Sequence, residues 1–350
     1  MTEVTSRRIL DDMAWRWLIG FLAGAALCAG ADEAVTVHQL TGLIRDSVRQ
    51  GRPDGKLAKS IEKLRLKEHL NDHAIEELIS AGAGPKSEDA LNLLADRSAG
   101  LPEPDLSADF PPAAVPPTEQ QQTTINAARD HVAAYSHELP DFFCLEEVRR
   151  FENTRGSWQL KDSLEIKLTY FEHHEKYDLL KLNGKPTIRS FDSVGGAISQ
   201  GEFGSLVLSI FADDSATRFR WDHGTTLRGR PANVFQFRIL AAQSSYRLAY
   251  RMGNGQINST ITGQHGFVYI DSATNVVMKV IADADSIPRN FPVHQAHTVL
   301  EFGFTDVGGK PFLLPLRAEV RMRSDFILTK NEVNFRSYRK FGTESTLTFQ

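Results

Sequence analysis

After Leu139-Pro140 the chain keeps a two-residue rhythm almost to its end, and no other feature narrows the fold so far. Leu164, Ile166, Leu168 and Tyr170 alternate with Glu165, Lys167 and Thr169, the period of a strand with one buried face and one wet face. The same beat runs through Phe235, Phe237 and Ile239 against Gln236 and Arg238, through Val276, Met278 and Val280, and through Val320 and Met322 against Glu319, Arg321 and Arg323. Asn183-Gly184, Asn254-Gly255 and Gly308-Gly309 stand between such runs, where a tight hairpin needs residues that tolerate positive φ. Roughly nine to eleven strands joined by short loops predict an antiparallel meander. So wide a sheet curls, which gives a half-barrel whose apolar concave face has to be covered.

Before Pro140 the periodicity is helical. Leu40, Leu43, Ile44 and Val48 fall on one face. Leu57, Ile61 and Leu64 follow a turn at Gly51 to Gly55, Ile75, Leu78 and Ile79 lead to Gly82-Ala-Gly84, and Ser87 caps a segment carrying Leu91 and Leu94. These spacings predict four short amphipathic helices over 32–100. None is long enough to be stable alone, so they pack on one another or on the rest of the protein. Between 101 and 118 lie Pro102, Pro104, Pro111, Pro112, Pro116 and Pro117, which remove backbone donors and predict an extended linker. Ile125, Ala128, Val132 and Tyr135 then mark a helix from Glu119 to Glu138, ended by Pro140. The fold class is α+β: a short-helix region, a linker, and from 119 to 350 a helix plus a curved antiparallel sheet.

The first 31 residues differ in kind. Arg7, Arg8 and Arg16 precede an uncharged run from Trp17 to Ala31 that ends in Ala29-Gly-Ala31. That run is shorter than a comfortable membrane span of about twenty residues and predicts a secretory signal peptide cleaved near Ala31. An uncleaved anchor is the alternative. Either places the product in the periplasm or outside the cell. Cys28 follows Leu27 where lipoprotein processing wants a small residue, so a lipid-modified cysteine is set aside. Cleavage leaves Cys144 as the lone thiol, and stability then rests on burial rather than disulfides. In Phe142-Phe-Cys-Leu145 that thiol reads as buried and inert.

Chemistry-bearing motifs are absent. The chain has no Gly-x-Ser-x-Gly elbow, no His-Glu-x-x-His, no phosphate-binding loop and no dinucleotide fingerprint. Asp271 opens the short stretch Asp271-Ser-Ala-Thr-Asn275 and reads as a turn residue that accepts from backbone amides. His173-His174 alternate across a strand, His294 and His297 are three apart, and His69 and His73 flank a helix start at Asn71-Asp72. His69 and His73 could share a helix face, but no cysteine or carboxylate cluster stands in register beside any pair, so no metal and no cofactor is expected. The net charge is −4, and the part from Pro140 onward is only mildly basic, which speaks against nucleic acid as a partner. The clusters Arg218, Arg220, Arg228 and Arg230, and Arg317, Arg321, Arg323, Arg336, Arg339 and Lys340, suit the solvated face of strands, the alternative being a patch for anionic headgroups or acidic glycans.

Two stretches, "GEFGSLVLSIF" through "HGFVYIDSATNVVMKV" and "FLLPLRAEVRM" through "NFRSYRKFGTESTLTF", resemble families of secreted bacterial proteins without assigned activity that carry a C-terminal β domain. That domain in turn resembles the lipoprotein-localisation-factor (LolA/RseB-like) fold, and the resemblance spans about 140 to 350. It implies a curved sheet closed by helices, with a hollow that receives acyl chains. The helix at 119–138 either plugs that hollow or leaves a pocket. The expected function is non-enzymatic binding of a lipid, lipoprotein or other amphipathic ligand, with no catalytic residue. The expected concave lining is Leu164, Ile166, Leu168, Phe235, Phe237, Val276, Met278 and Val320. A one-residue register step would invert that facing as a set. The alternatives are a structural or protein-interaction module of the envelope, contacting a partner through the helical region, and an enzyme acting on envelope glycans.

Overall fold

The computed structural model describes residues 34–109, 114–153, 158–172, 174–190, 194, 205–228, 230–251, 256–324 and 327–341. Residues 1–33, where the signal peptide was expected, His173, and Asn254-Gly255, where a turn was expected, lie outside them. The chain divides into two compact units between 111 and 112.

Among the described residues the first unit holds four helices, α1 (Val37–Arg49), α2 (Asp54–Ile61), α3 (Asp72–Ser80) and α4 (Pro85–Ser98). Their apolar stripes meet in one core of Val37, Leu40, Ile44, Leu57, Ile61, Leu70, Leu78, Leu91 and Leu94. Each helix is too short to persist alone, so this mutual burial holds them. The ends are closed by side chains. Thr36 and Gln39 form a reciprocal capping box at α1, and Asn71 Oδ1 accepts from Ala74 N at 3.0 Å at α3. Ser87 does not cap α4 as its position suggested. The helix starts two residues earlier with Pro85 in its first turn, and Asp54 of α2 reaches across to accept from Lys86 N at 2.9 Å and Ser87 N at 3.0 Å. The start of the proline-rich stretch is not free spacer either. His69 N donates to Pro102 O at 2.8 Å, and Asp109 accepts from His38 Nδ1 at 2.8 Å.

The second unit opens with α5 (Thr118–Glu138). Its main sheet has eleven strands in the order β4-β3-β2-β1-β13-β12-β11-β10-β9-β6-β5. These are β1 (Phe142–Asn153), β2 (Gln159–Phe171), β3 (His174–Leu182), β4 (Lys185–Pro186), β5 (Arg218–Leu227), β6 (Arg230–Ile239), β9 (Gly263–Asp271), β10 (Val277–Asp285), β11 (Gln295–Asp306), β12 (Pro311–Ser324) and β13 (Ile327–Lys340). A separate hairpin, β7 (Arg247–Arg251) and β8 (Ile257–Ile261), is inserted between β6 and β9. Strands adjacent in the sheet pair antiparallel, as the meander requires, but the ends of the run are joined: β1 pairs with β13, from Phe142 opposite Lys340 to Asn153 opposite Leu328. The break in the meander falls between β4 and β5, the two edges, so the sheet stays open. The tight turns lie where the sequence put them, with Asn183 and Gly184 at φ 52° and 74° and Gly308 and Gly309 at 66° and 85°.

Eleven strands laid flat would be roughly 48 Å wide at about 4.8 Å per step. Instead, β1, β2, β3, β6 and β9 to β13 all contribute to one core around α5 and a second short helix, α6 (Ser205–Phe211), which a flat sheet of that width could not do. Register shifts in β1, β10, β11 and β5 supply the bend. On the opposite face, β1, β12 and β13 carry charged residues that pair with one another. Arg321 lies 3.1 Å from Glu319, Lys330 2.6 Å from Glu332, Arg336 3.0 Å from Glu147, and Arg149 pairs with Glu332. Arg321 and Lys330 pair along their own strands and Arg149 and Arg336 across the β1–β13 seam, so these cations are engaged by acids of the same face.

Candidate functional site

The inner face of the sheet is where a site forms, and α5 and α6 decide its shape. Ile125, Ala128 and Val132 of α5 and Leu206, Val207, Ile210 and Phe211 of α6 are all buried against the strands. The C-terminal end of α6 is tied down. Thr217 Oγ1 donates to Ile210 O at 2.6 Å, Arg129 Nε donates to Phe211 O at 3.3 Å, and the Phe211 ring stacks on Phe219 at 5.1 Å. Between the helices and the sheet lies a partly open cavity of about 30 Å³ lined by His131, Val132, Tyr135, Val207, Leu208, Val277, Phe302 and Leu313. That volume admits about one or two waters and no alkyl chain.

The lining is apolar apart from His131 and the phenol of Tyr135. The Tyr135 ring meets Phe302 edge-on at 6.5 Å. Its hydroxyl is buried with no hydrogen-bond partner among the described residues, and burial pushes its pKa well up. A buried phenol left unpaired costs about 1–3 kcal/mol. No carboxylate is among the described residues lining the cavity.

Of the residues expected to line the concavity, Leu164, Ile166, Leu168, Phe235 and Phe237 do lie in the inner core, packed rather than facing free space. Val276 and Met278 are on the opposite face, in a cluster with Val234, Tyr269 and Ile281. The register shift between Val277 and Lys279 is the reason: it breaks the alternation, so Val277 and Val280 point inward and the intervening residues outward. Val320 is on the same side as Ala318, but it joins Leu248, Phe291, Val293, Ala296 and Met322 where the β7–β8 hairpin covers one end of the sheet. None of the eight touches the cavity. Val132 and Tyr135 were legible as a helix face. The helix in Ser205–Phe211 was missed because its apolar run also suits a strand, and only the α-helical spacing of Leu206, Val207, Ile210 and Phe211 distinguishes it.

Asp271 is a turn residue of unusual strength. Its Oδ1 accepts from Thr274 N at 2.9 Å, Thr274 Oγ1 at 2.8 Å and Ala273 N at 3.1 Å, and its Oδ2 accepts from Arg230 Nε at 2.6 Å. Arg230 together with these donors lowers its pKa to about 2, the opposite of what a general acid needs. Cys144 is buried, and burial raises its pKa far above the reactive range. His297 pairs with Asp283 at 2.9 Å and His69 with Glu103 at 2.7 Å.

No protein-family profile and no curated protein matches the chain. Among solved structures it is similar to a domain provisionally named for outer membrane lipoprotein sorting from Vibrio parahaemolyticus, at 15% identity and a TM-score of 0.35, covering 65% of this chain and 94% of that one. It is also similar to a LolA superfamily protein from Nitrosomonas europaea, at 9% identity and TM-score 0.29, covering 63% and 93%. A DUF1329 family protein from Desulfovibrio piger matches at 11% identity and TM-score 0.30, covering 64% and 95%. The α+β architecture rests on the sheet and helices described above.

Proposed function

We propose that the chain is a non-enzymatic protein of the cell envelope whose curved β domain takes an apolar or amphipathic ligand, a lipid or lipoprotein acyl chain, between the sheet and α6. The observation that carries this reading is the apolar cavity walled on one side by a helix of seven residues and on another by the unpaired Tyr135 hydroxyl. At about 30 Å³ the cavity is a starting point only; an acyl chain has to displace α6. Lifting Leu206, Val207, Ile210 and Phe211 off the sheet costs roughly 1.5–3 kcal/mol each, or about 6–12 kcal/mol together. A chain of about 12 to 16 methylenes returns about 10–13 kcal/mol at about 0.8 kcal/mol per methylene. The exchange is close to even, so such a ligand can replace the helix, and its polar end would satisfy the Tyr135 hydroxyl.

Organic extraction of the purified chain followed by mass spectrometry, with titration of a fluorescent fatty acid, tests the reading. A co-purified lipid or saturable binding that Val207→Arg abolishes supports it. Neither signal, with native circular dichroism, sinks it. The small volume favours a second reading in that event: a plugged sheet acting as a structural or protein-interaction module.

A further inference from the structure

The β7–β8 hairpin breaks the rule that the rest of the sheet obeys. In β8 the exposed positions are Ile257, Ser259 and Ile261, while Asn258 and Thr260 are turned toward the protein. The isoleucines are 55% and 43% exposed, and Leu240, just before the hairpin, is 47% exposed. The inner side is accounted for, since Leu248 and Tyr250 pack on Phe291, Val293 and Met322. The outer side is an apolar strip that the fold does not cover. Such a strip marks a contact.

Charge identifies the contact. From His223 to Ile270 the sequence has no Asp or Glu, and its charged residues other than histidine are Arg228, Arg230, Arg238, Arg247 and Arg251. Arg228, Arg230 and Arg238 are engaged by Glu301, Asp271 and Asp285. Arg247 stands opposite Ile261 and Arg251 opposite Ile257 in the hairpin register, and Arg247 is exposed. Each isoleucine has an arginine directly across the ladder, and Asp285, opposite Gly263 just past Ile261, is engaged by Arg238, so the strip combines apolar insertion with attraction to negative headgroups.

We infer that the outward face of the β7–β8 hairpin docks on an anionic lipid bilayer, with Ile257 and Ile261 entering the headgroup boundary and Arg247 meeting phosphate. A protein interface of the same size would be expected to pair its cations with acids or to carry hydrogen-bonding variety, and a second copy would bring arginine against arginine. The inference is independent of the cavity reading, because the hairpin surface is exposed whether or not α6 moves.

The test reads the hairpin itself. Ser259→Cys, in the full chain with Cys28→Ser, is labelled with an environment-sensitive fluorophore; Cys144 is buried and stays unlabelled. Vesicles of phosphatidylglycerol should blue-shift the probe and brominated acyl chains should quench it, whereas phosphatidylcholine vesicles should do neither. Ile257→Asp with Ile261→Asp should weaken the response at least tenfold, and Arg247→Glu or 0.5 M salt about three- to tenfold. Far-ultraviolet circular dichroism checks that these surface variants stay folded. An unchanged spectrum with anionic vesicles overturns the inference. So does a shift that needs no vesicles and grows with protein concentration, which would mean a second copy, and so does an equal response from the double isoleucine variant.

Discussion

The helical unit and the inner side of the β unit bury apolar residues equally well but finish the job differently. In the helical unit α1, α3 and α4 have named partners at their N-termini: the Thr36–Gln39 box, Asn71, and Asp54 reaching to the start of α4. Its core closes around side chains such as Leu40, Leu78 and Leu91 at 0% exposure. Against the sheet, α6 is two turns long, a cavity is left beside it, and Tyr135 keeps an unsatisfied hydroxyl. One region is settled and the other has slack. Slack of that kind is what a binding surface draws on, since a well-packed core loses several kcal/mol for each rearrangement.

The sharpest break in this picture would come at Gly266, where β9 passes close to β10. Its φ is +154°, and a Cβ there would lie 2.0 Å from the Ile281 carbonyl oxygen. Gly266→Ala should destabilise the β unit by about 3–5 kcal/mol in urea unfolding, showing that the sheet itself has none of the slack assigned to α6. Matched truncations test the contrast directly. Leu40→Ala in the helical unit should cost about 3–4 kcal/mol, and Leu206→Ala in α6 about 1–2 kcal/mol, because a short helix beside a cavity can relax. Equal losses would erase the distinction.

Acid separates the two regions next. Asp271 has its pKa lowered from 3.8 to about 2 in the folded state, so its contribution of roughly 2 kcal/mol is complete above about pH 4 and is lost as the pH falls from about 4 toward 2. Asp271→Asn should remove that stability at neutral pH and flatten the same window in acid titrations of unfolding. In the helical unit, the hydrogen bonds from Ser87 and the amides of Lys86 and Ser87 hold the Asp54 pKa low against the opposing effect of burial. Asp54→Ala should cost about 1–2 kcal/mol at neutral pH, with the difference shrinking below about pH 4. The smallest effect is at Tyr135. Tyr135→Phe should leave the protein as stable or more stable by up to about 1 kcal/mol while weakening fatty-acid binding; a loss of stability would mean that the hydroxyl is satisfied after all.

Much of the architecture was legible because it is local. The period-two runs, the Asn183-Gly184 and Gly308-Gly309 turns, the helix ending before Pro140 and the four short helices each follow from residues within a dozen positions of one another. The candidate site was legible only in part. Leu164 and Phe235 lie on stretches where alternation alone gives the facing, whereas Val276 and Met278 flank a bulge, which leaves no mark in a run of apolar residues that suits either face.

What the sequence determined by itself is the class of fold and the amphipathic character of its pieces, since backbone period and turn chemistry act over a few residues. Tertiary structure alone decided that β1 pairs with β13, that α6 shares the inner face with α5, and that Ile257 and Ile261 are left outside. Each of those outcomes depends on which distant surfaces meet, and burial energy depends on area without recording which partner supplies it.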